Sequence, residues 1–168
     1  MWYVIQTTTG KEQDLVDLVG MLVPAEFYGD CFIIKRQLLK RLGGKWVETV
    51  ETLFPSYVFL DTEAPEQLFY ELKRIPEYAK ILGNNEGEFI AIEEDEKRLL
   101  KKMYQGSPEH LVRLTKLNLN ENGGIEAMNG PLQYFKQELE QVNLRKRYAV
   151  IKTFFRGREQ TILLGICF

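Results

Sequence analysis

Leu53-Phe54-Pro55-Ser56-Tyr57-Val58-Phe59-Leu60 reads as a turn followed by a strand. Proline fixes its own φ and has no amide to donate, so Phe54-Pro55 marks the entry. Ser56–Leu60 is then a short aromatic and β-branched run of the kind that forms a strand. Successive side chains of a strand alternate faces, so Tyr57 and Phe59, two residues apart, point the same way. By itself such a pair is well explained as core beneath a helix.

Working upstream, Trp46–Val50 and Cys31–Leu39 read as two strands joined by the turn Leu42-Gly43-Gly44-Lys45. Before them, Leu15, Leu18, Val19 and Leu22 recur at helical spacing and stop at Pro24. Thr9-Gly10-Lys11-Glu12 precedes that helix with capping-box spacing. Trp2–Ile5 is an opening strand. Downstream, Pro65 starts a helix carrying Leu68, Phe69, Leu72 and Ile75, and Pro76 closes it. A short strand is expected at Ala79–Leu82 and a third helix at Glu93–Tyr104, with acids first and cations later, as the helix dipole favours. The order β-α-β-β-β-α-β-α gives an α/β (α+β) sandwich around a mainly antiparallel sheet.

The texture then changes. Residues 105–121 carry turn formers and little periodicity, and read as a linker. From residue 122 onward, strands at Ile125–Met128, Glu138–Val142, Tyr148–Phe154 and Thr161–Ile166 suggest a small β-barrel. The expected division is therefore 1–104, a linker at 105–121, and 122–168.

Charge divides the chain into two parts that face different partners, or of which only the second faces a polyanion. The whole chain has net charge −2, but up to Gln105 there are 13 Lys/Arg against 18 Asp/Glu, and beyond it 9 against 6. Asn143–Arg158 holds six cations, Arg145, Lys146, Arg147, Lys152, Arg156 and Arg158, and no acid short of Glu159. A run of three cations is usually a solvated loop, but six in an otherwise acidic protein point to a polyanion. Tyr148 beside them, and Tyr134, are placed to stack on unpaired bases.

Other classes of function find little support. No apolar run approaches the length of a membrane span, and the N-terminus lacks the pattern of a signal peptide. Cys31 and Cys167 lack framework spacing and read as buried free thiols in a reducing compartment, which makes the cytoplasm the expected location. His110 is the only histidine and has no ligand cluster around it, so neither a metal nor another cofactor is expected. No nucleophile elbow, P-loop or dinucleotide fingerprint occurs, and no catalytic residue is nominated.

Trp2-Tyr3-Val4, Gly10-x-Glu12 opening a helix, Leu53–Phe59, Pro76-Glu77-Tyr78 with Ile81-Leu82-Gly83, and Ile92–Glu96 occur in an order that resembles the N-terminal domain of the NusG family. Gly130-Pro131-Leu132, Tyr148–Phe154 and Gly157-Arg158 before Thr161–Leu164 are similar to that family's KOW domain. Tyr134 and Gln137 replace glycines of the pattern. Arg156 replaces a phenylalanine that housekeeping members use toward ribosomal protein S10 or Rho, which argues against those partners. The pattern leans toward a specialised, LoaP-like paralogue.

The resemblance implies an RNA polymerase-associated elongation factor that promotes processive antitermination and is not an enzyme. It implies that Tyr57, Phe59, Ile81 and Gln6 meet the polymerase clamp helices, with non-template DNA a further candidate partner. It also implies that the second domain takes nascent RNA, a hairpin by preference, through Arg145, Lys146, Arg147, Tyr148, Lys152, Arg156 and Arg158. Two other readings stay open: a housekeeping factor coupling polymerase to Rho or the ribosome, and an RNA-binding module independent of polymerase.

Overall fold

A computed structural model describes residues Met1–Phe168. The chain forms two compact units, one from residues 1–33 and 54–97, the other from residues 34–53 and 98–168. The fold is α+β.

The first unit is built on an antiparallel sheet of β1 (Trp2–Gln6), β2 (Asp30–Phe32), β5 (Tyr57–Asp61) and β6 (Ile90–Ala91), in the order β2-β5-β1-β6. Its helices are α1 (Glu12–Leu22), α2 (Pro65–Lys73) and α3 (Pro76–Leu82). Ile5, Val58 and Leu60 from one sheet face bury with Leu15, Leu18, Val19, Leu68, Leu72, Tyr78 and Leu82 from the helices. At about 1.5–3 kcal/mol for each fully buried large apolar side chain, this layer is the main source of the unit's stability.

Local features of this unit differ from the sequence expectations. Pro76–Leu82 is helical where a strand is expected at Ala79–Leu82. Pro76 is preorganised for the first helical turn, Ile75 before it is extended, and Gly83 at φ +62° ends the helix. Tyr78 and Leu82, one turn apart, are both buried. The expected capping box is also incomplete: no side chain caps α1, and Glu12 reaches back to the Gly10 amide (2.9 Å) and across to the Ser56 amide (2.6 Å).

The expected strand Cys31–Leu39 is two strands. β2 ends at Phe32, and β3 (Lys35–Leu42) belongs to the second unit, where it pairs with β4 (Lys45–Thr52). The apolar run Phe32-Ile33-Ile34 hides this passage because it is buried throughout. Gly43 (φ +56°) and Gly44 (φ +79°) make the tight turn that suits the twist of a two-stranded ribbon.

The helix α4 (Glu94–Tyr104) runs across the division between units. The second unit then contains β7 (Leu111–Val112), β8 (Thr115–Leu119), β9 (Ile125–Asn129), β10 (Leu139–Asn143), β11 (Tyr148–Phe155) and β12 (Arg158–Cys167). Five of these form a sheet in the order β10-β11-β12-β8-β9, antiparallel except for β12 beside β8, and β4-β3-β7 forms another. Residues 105–121, read as linker, thus supply two strands. Thr115 and Leu117 bury at a spacing of two, but the polar residues between them conceal the pattern. Ala149, Ile151 and Phe155 of β11 and Ile162, Leu164 and Ile166 of β12 are buried, as are Leu117, Leu132 and Phe135.

The hairpin meets β12 within this unit at Gly165. A Cβ there would lie 2.5 Å from the Gln37 carbonyl oxygen and 3.2 Å from the Leu38 Cα, so only glycine admits this approach. Arg36 donates from one nitrogen to the Leu163 carbonyl (2.7 Å) and from two others to the Glu51 carboxylate (2.7 and 3.2 Å).

Candidate nucleic-acid interface and aromatic face

The turn between β10 and β11 is shaped by its own side chains. Asn143 pairs with Tyr148 across the ladder, and its carboxamide oxygen accepts the Lys146 amide at 2.9 Å. This folds the chain so that Arg145 and Lys146 are exposed while Arg147 and Tyr148 are half-buried. Arg147, at φ +62°, carries its guanidinium 3.7 Å from the centre of the Phe168 ring and 5.1 Å from that of Trp46. Both distances are within the range of cation–π attraction.

Trp46 comes from the hairpin, where it sits directly opposite Arg41. The result is a groove of about 460 Å³ between the β3–β4 hairpin and the β10–β11 turn. Lys40, Arg41, Arg145, Lys146 and Arg147 supply its cations, and Trp46, Tyr148 and Leu163 supply apolar surface. Glu51 binds Lys40 (3.0 Å) as well as Arg36. Burial disfavours the Glu51 charge, but the hydrogen bonds from Arg36 and Lys40 outweigh it and hold the carboxyl below its ordinary pKa.

The six cations singled out in the sequence do not form one patch. Arg156 lies in the turn between β11 and β12 and Arg158 opens β12, whereas Arg145–Arg147 precede β11. Successive turns of a meander lie at opposite ends of the shared strand, and an eight-residue strand is about 25 Å long. Lys152 lies midway along it, with its ammonium 4.0 Å from Glu140 and 3.9 Å from Glu159. The hairpin cations and Trp46 are the part that sequence reasoning missed. The available signal was an indole next to a two-glycine turn, flanked by Lys40, Arg41 and Lys45.

The polymerase candidates fall in three places. Tyr57 and Phe59 lie on the sheet face opposite the helix layer, and both are buried. Phe59 stacks on Phe32 with centroids 5.6 Å apart, Phe54 lies 6.1 Å from Phe59 and 6.4 Å from Tyr57, and Trp2 meets Phe32 edge-on at 5.1 Å. Gln6 pairs with Tyr57 in the ladder, is exposed, and shares a polar hollow of about 230 Å³ with Asn84 and Asn85. Ile81 packs instead against the helix-side core, and its carbonyl accepts the Thr7 hydroxyl at 2.7 Å.

No helix is long and apolar enough to cross a membrane. No group of three or more His, Cys, Asp or Glu is arranged to hold a metal ion.

The two units define an α+β protein. The family described as transcription termination factor NusG matches residues 1–101. The transcription termination/antitermination protein NusG of Helicobacter pylori (strain 26695) is 22% identical over 167 residues, covering 96% of this chain and 92% of that protein. The protein of the same name from Treponema pallidum is 27% identical over 177 residues, covering 98% and 95%. A solved structure on domain interaction in Thermotoga maritima NusG aligns with a TM-score of 0.52 at 19% identity, covering 98% of this chain and 92% of that one. The chain belongs to the NusG family of transcription termination/antitermination factors. Such factors are not enzymes.

Proposed function

We propose that this protein is a specialised, LoaP-like elongation factor that travels with RNA polymerase, promotes processive antitermination and binds nascent RNA through its second unit. The observation that carries the reading is the β10–β11 turn, where Arg145 and Lys146 are exposed beside Arg147, Tyr148 and the hairpin cations. Polyanion binding needs such exposed cations, and base recognition needs an adjacent aromatic surface. An RNA hairpin would place its loop at this turn and its stem backbone along β11 toward Arg156 and Arg158. Lys152, already beside two carboxylates, would contribute least.

Polymerase would be met at the aromatic sheet face, with Tyr57 at its surface, Phe59 backing it from within the aromatic cluster, Gln6 at its rim and Ile81 supporting from the helix layer. Binding the closed clamp better than the open one would oppose pausing by that difference in affinity and no more. The second contact, to RNA, would then be intramolecular, so two weak sites act as one stronger one. On this reading the polymerase-binding part lies within residues 1–104 and the RNA-binding part is centred on residues 122–168, which share one compact unit with residues 34–53 and 98–121.

The test is co-purification with core RNA polymerase, together with binding to leader-hairpin and scrambled RNA. Tyr57→Ala and Phe59→Ala should each weaken polymerase binding by ~2 kcal/mol, as truncated aromatic anchors do. Melting is measured in parallel, and Gln6→Arg serves as a rim variant that leaves the core intact. Polymerase binding unchanged in all three, with every variant folded, would rule out this face.

A further inference from the structure

The hairpin and the β10–β11 turn enclose a groove that charge alone does not explain. A phosphate site needs only exposed cations, yet here an indole, a phenol and a guanidinium line one cleft. The Arg147 guanidinium is also immobilised, lying on the Phe168 ring with Trp46 to one side. A fixed planar cation beside an indole is a stacking surface for a flat ring. The volume of about 460 Å³ falls in the ~300–1,000 Å³ range of small-ligand pockets, ample for one nucleotide and too small for a base-paired stem.

We infer that this groove holds one unpaired base of a bound RNA, stacked on the surface that Trp46, Arg147 and Tyr148 form together, with Arg41, Arg145 and Lys146 on the flanking phosphates. The β3–β4 hairpin is then the second wall of the RNA site, although it lies far from the β10–β11 turn in sequence. This inference rests on the RNA-binding reading above and adds which part of the RNA is taken. Lys40 has a smaller share, since Glu51 already holds its ammonium at 3.0 Å. The site reads a base by its flat face, so it distinguishes looped from fully paired RNA and tolerates many loop sequences. A paired base cannot enter because its faces are already covered by its neighbours in the stack.

The experiment uses the full chain and two synthetic RNAs, a stem closed by an open loop and the same stem as a blunt duplex. A fluorescent adenine analogue, 2-aminopurine, is placed in turn at each loop position. Wild type should quench it strongly at one position, because stacking on an aromatic surface quenches that base. Trp46→Ala should lose this quenching and about tenfold in affinity for the looped RNA, and leave duplex affinity unchanged, while Trp46→Phe restores most of both. Arg145→Glu with Lys146→Glu should weaken both RNAs. Circular dichroism and melting confirm that the hairpin variants stay folded. If the double-Glu variant loses binding but Trp46→Ala behaves as wild type, the base pocket is overturned and RNA binding stands. If wild type binds neither RNA in a salt-dependent way, the RNA-binding reading falls and the pocket with it.

Discussion

The Glu12 carboxylate accepts the Ser56 amide at 2.6 Å and so ties the start of α1 to the turn that leads into β5. Ser56 has φ +70°, a conformation that non-glycine residues pay ~1–2 kcal/mol to adopt. Its amide is thereby turned toward the helix, where Glu12 is buried and also accepts the Gly10 amide. Two stretches that identify the family, Gly10-x-Glu12 and Leu53–Phe59, are thus halves of one contact. Glu12→Ala leaves the half-buried Ser56 amide without its acceptor, while the exposed Gly10 amide can turn to water, and should cost ~1–3 kcal/mol in all, seen as a fall in denaturant midpoint. Ser56→Gly should be neutral or stabilising, because glycine takes this φ freely. A Glu12→Ala protein as stable as wild type would show that the carboxylate does not hold this turn.

Glu51 should give the second unit an acid-sensitive ion pair. Its folded-state pKa is depressed by Arg36 and Lys40 against the opposing effect of burial. A depressed carboxyl contributes stability that is complete above its unfolded pKa of about 4.3 and is lost as pH falls through the folded value. Wild type should therefore exceed Glu51→Gln by up to ~1 kcal/mol at neutral pH, the range for a partly exposed pair. That gap should close below about pH 4. Melting curves of both proteins across pH give the comparison, and a gap independent of pH would mean the carboxylate's charge is not what matters.

The fragment 122–168 should fail to fold by itself. It lacks β8, which pairs with β9 on one side and with β12 at Ile166 and Cys167 on the other. It also loses Thr115, whose hydroxyl accepts the Leu132 amide at 3.1 Å where the chain turns through Gly130-Pro131. Extending the fragment back to residue 106 restores both, so its amide NMR spectrum should be dispersed where the shorter one is collapsed. Equal dispersion in the two would mean that the segment before residue 122 is a mere tether.

Much of the fold was legible because local chemistry agreed with it. Trp2–Ile5, the Leu15/Leu18/Val19 stripe, the Gly43-Gly44 turn and the β11 and β12 strands each carry a period or a turn signal sufficient alone. What failed was short or conditional on tertiary contacts. The Ala79–Leu82 run is too brief for periodicity to separate strand from helix, and Pro76 three residues earlier decides it. Thr115–Leu119 is a strand because its neighbours pair with it, and two buried side chains among lysine and asparagine gave little warning. The Trp46–Arg147 contact joins residues from a hairpin and a distant turn, and nothing in either stretch specifies the other. The cation cluster was legible as charge, but its division between two ends of β11 depends on strand direction, which composition does not carry.

That division makes the salt dependence of RNA binding a position-by-position test. Each phosphate contact contributes ~0.7–0.9 to the log–log slope of affinity against salt. If Arg41, Arg145 and Lys146 meet phosphates while Arg147 stays on the base, the slope for looped RNA should be roughly −2 to −3. Arg145→Glu should reduce its magnitude by at least one such contact, as the loss of one cation requires. Arg158→Glu, some 25 Å away along β11, should matter only for a stem long enough to reach it. Lys152→Gln should change the slope least, since Glu140 and Glu159 already neutralise much of its field. The discriminating measurement is therefore the effect of Arg158→Glu on a short and a long stem under the same salt titration. A loss that grows with stem length places the RNA along β11, whereas equal losses on both stems would mean that it approaches from another direction.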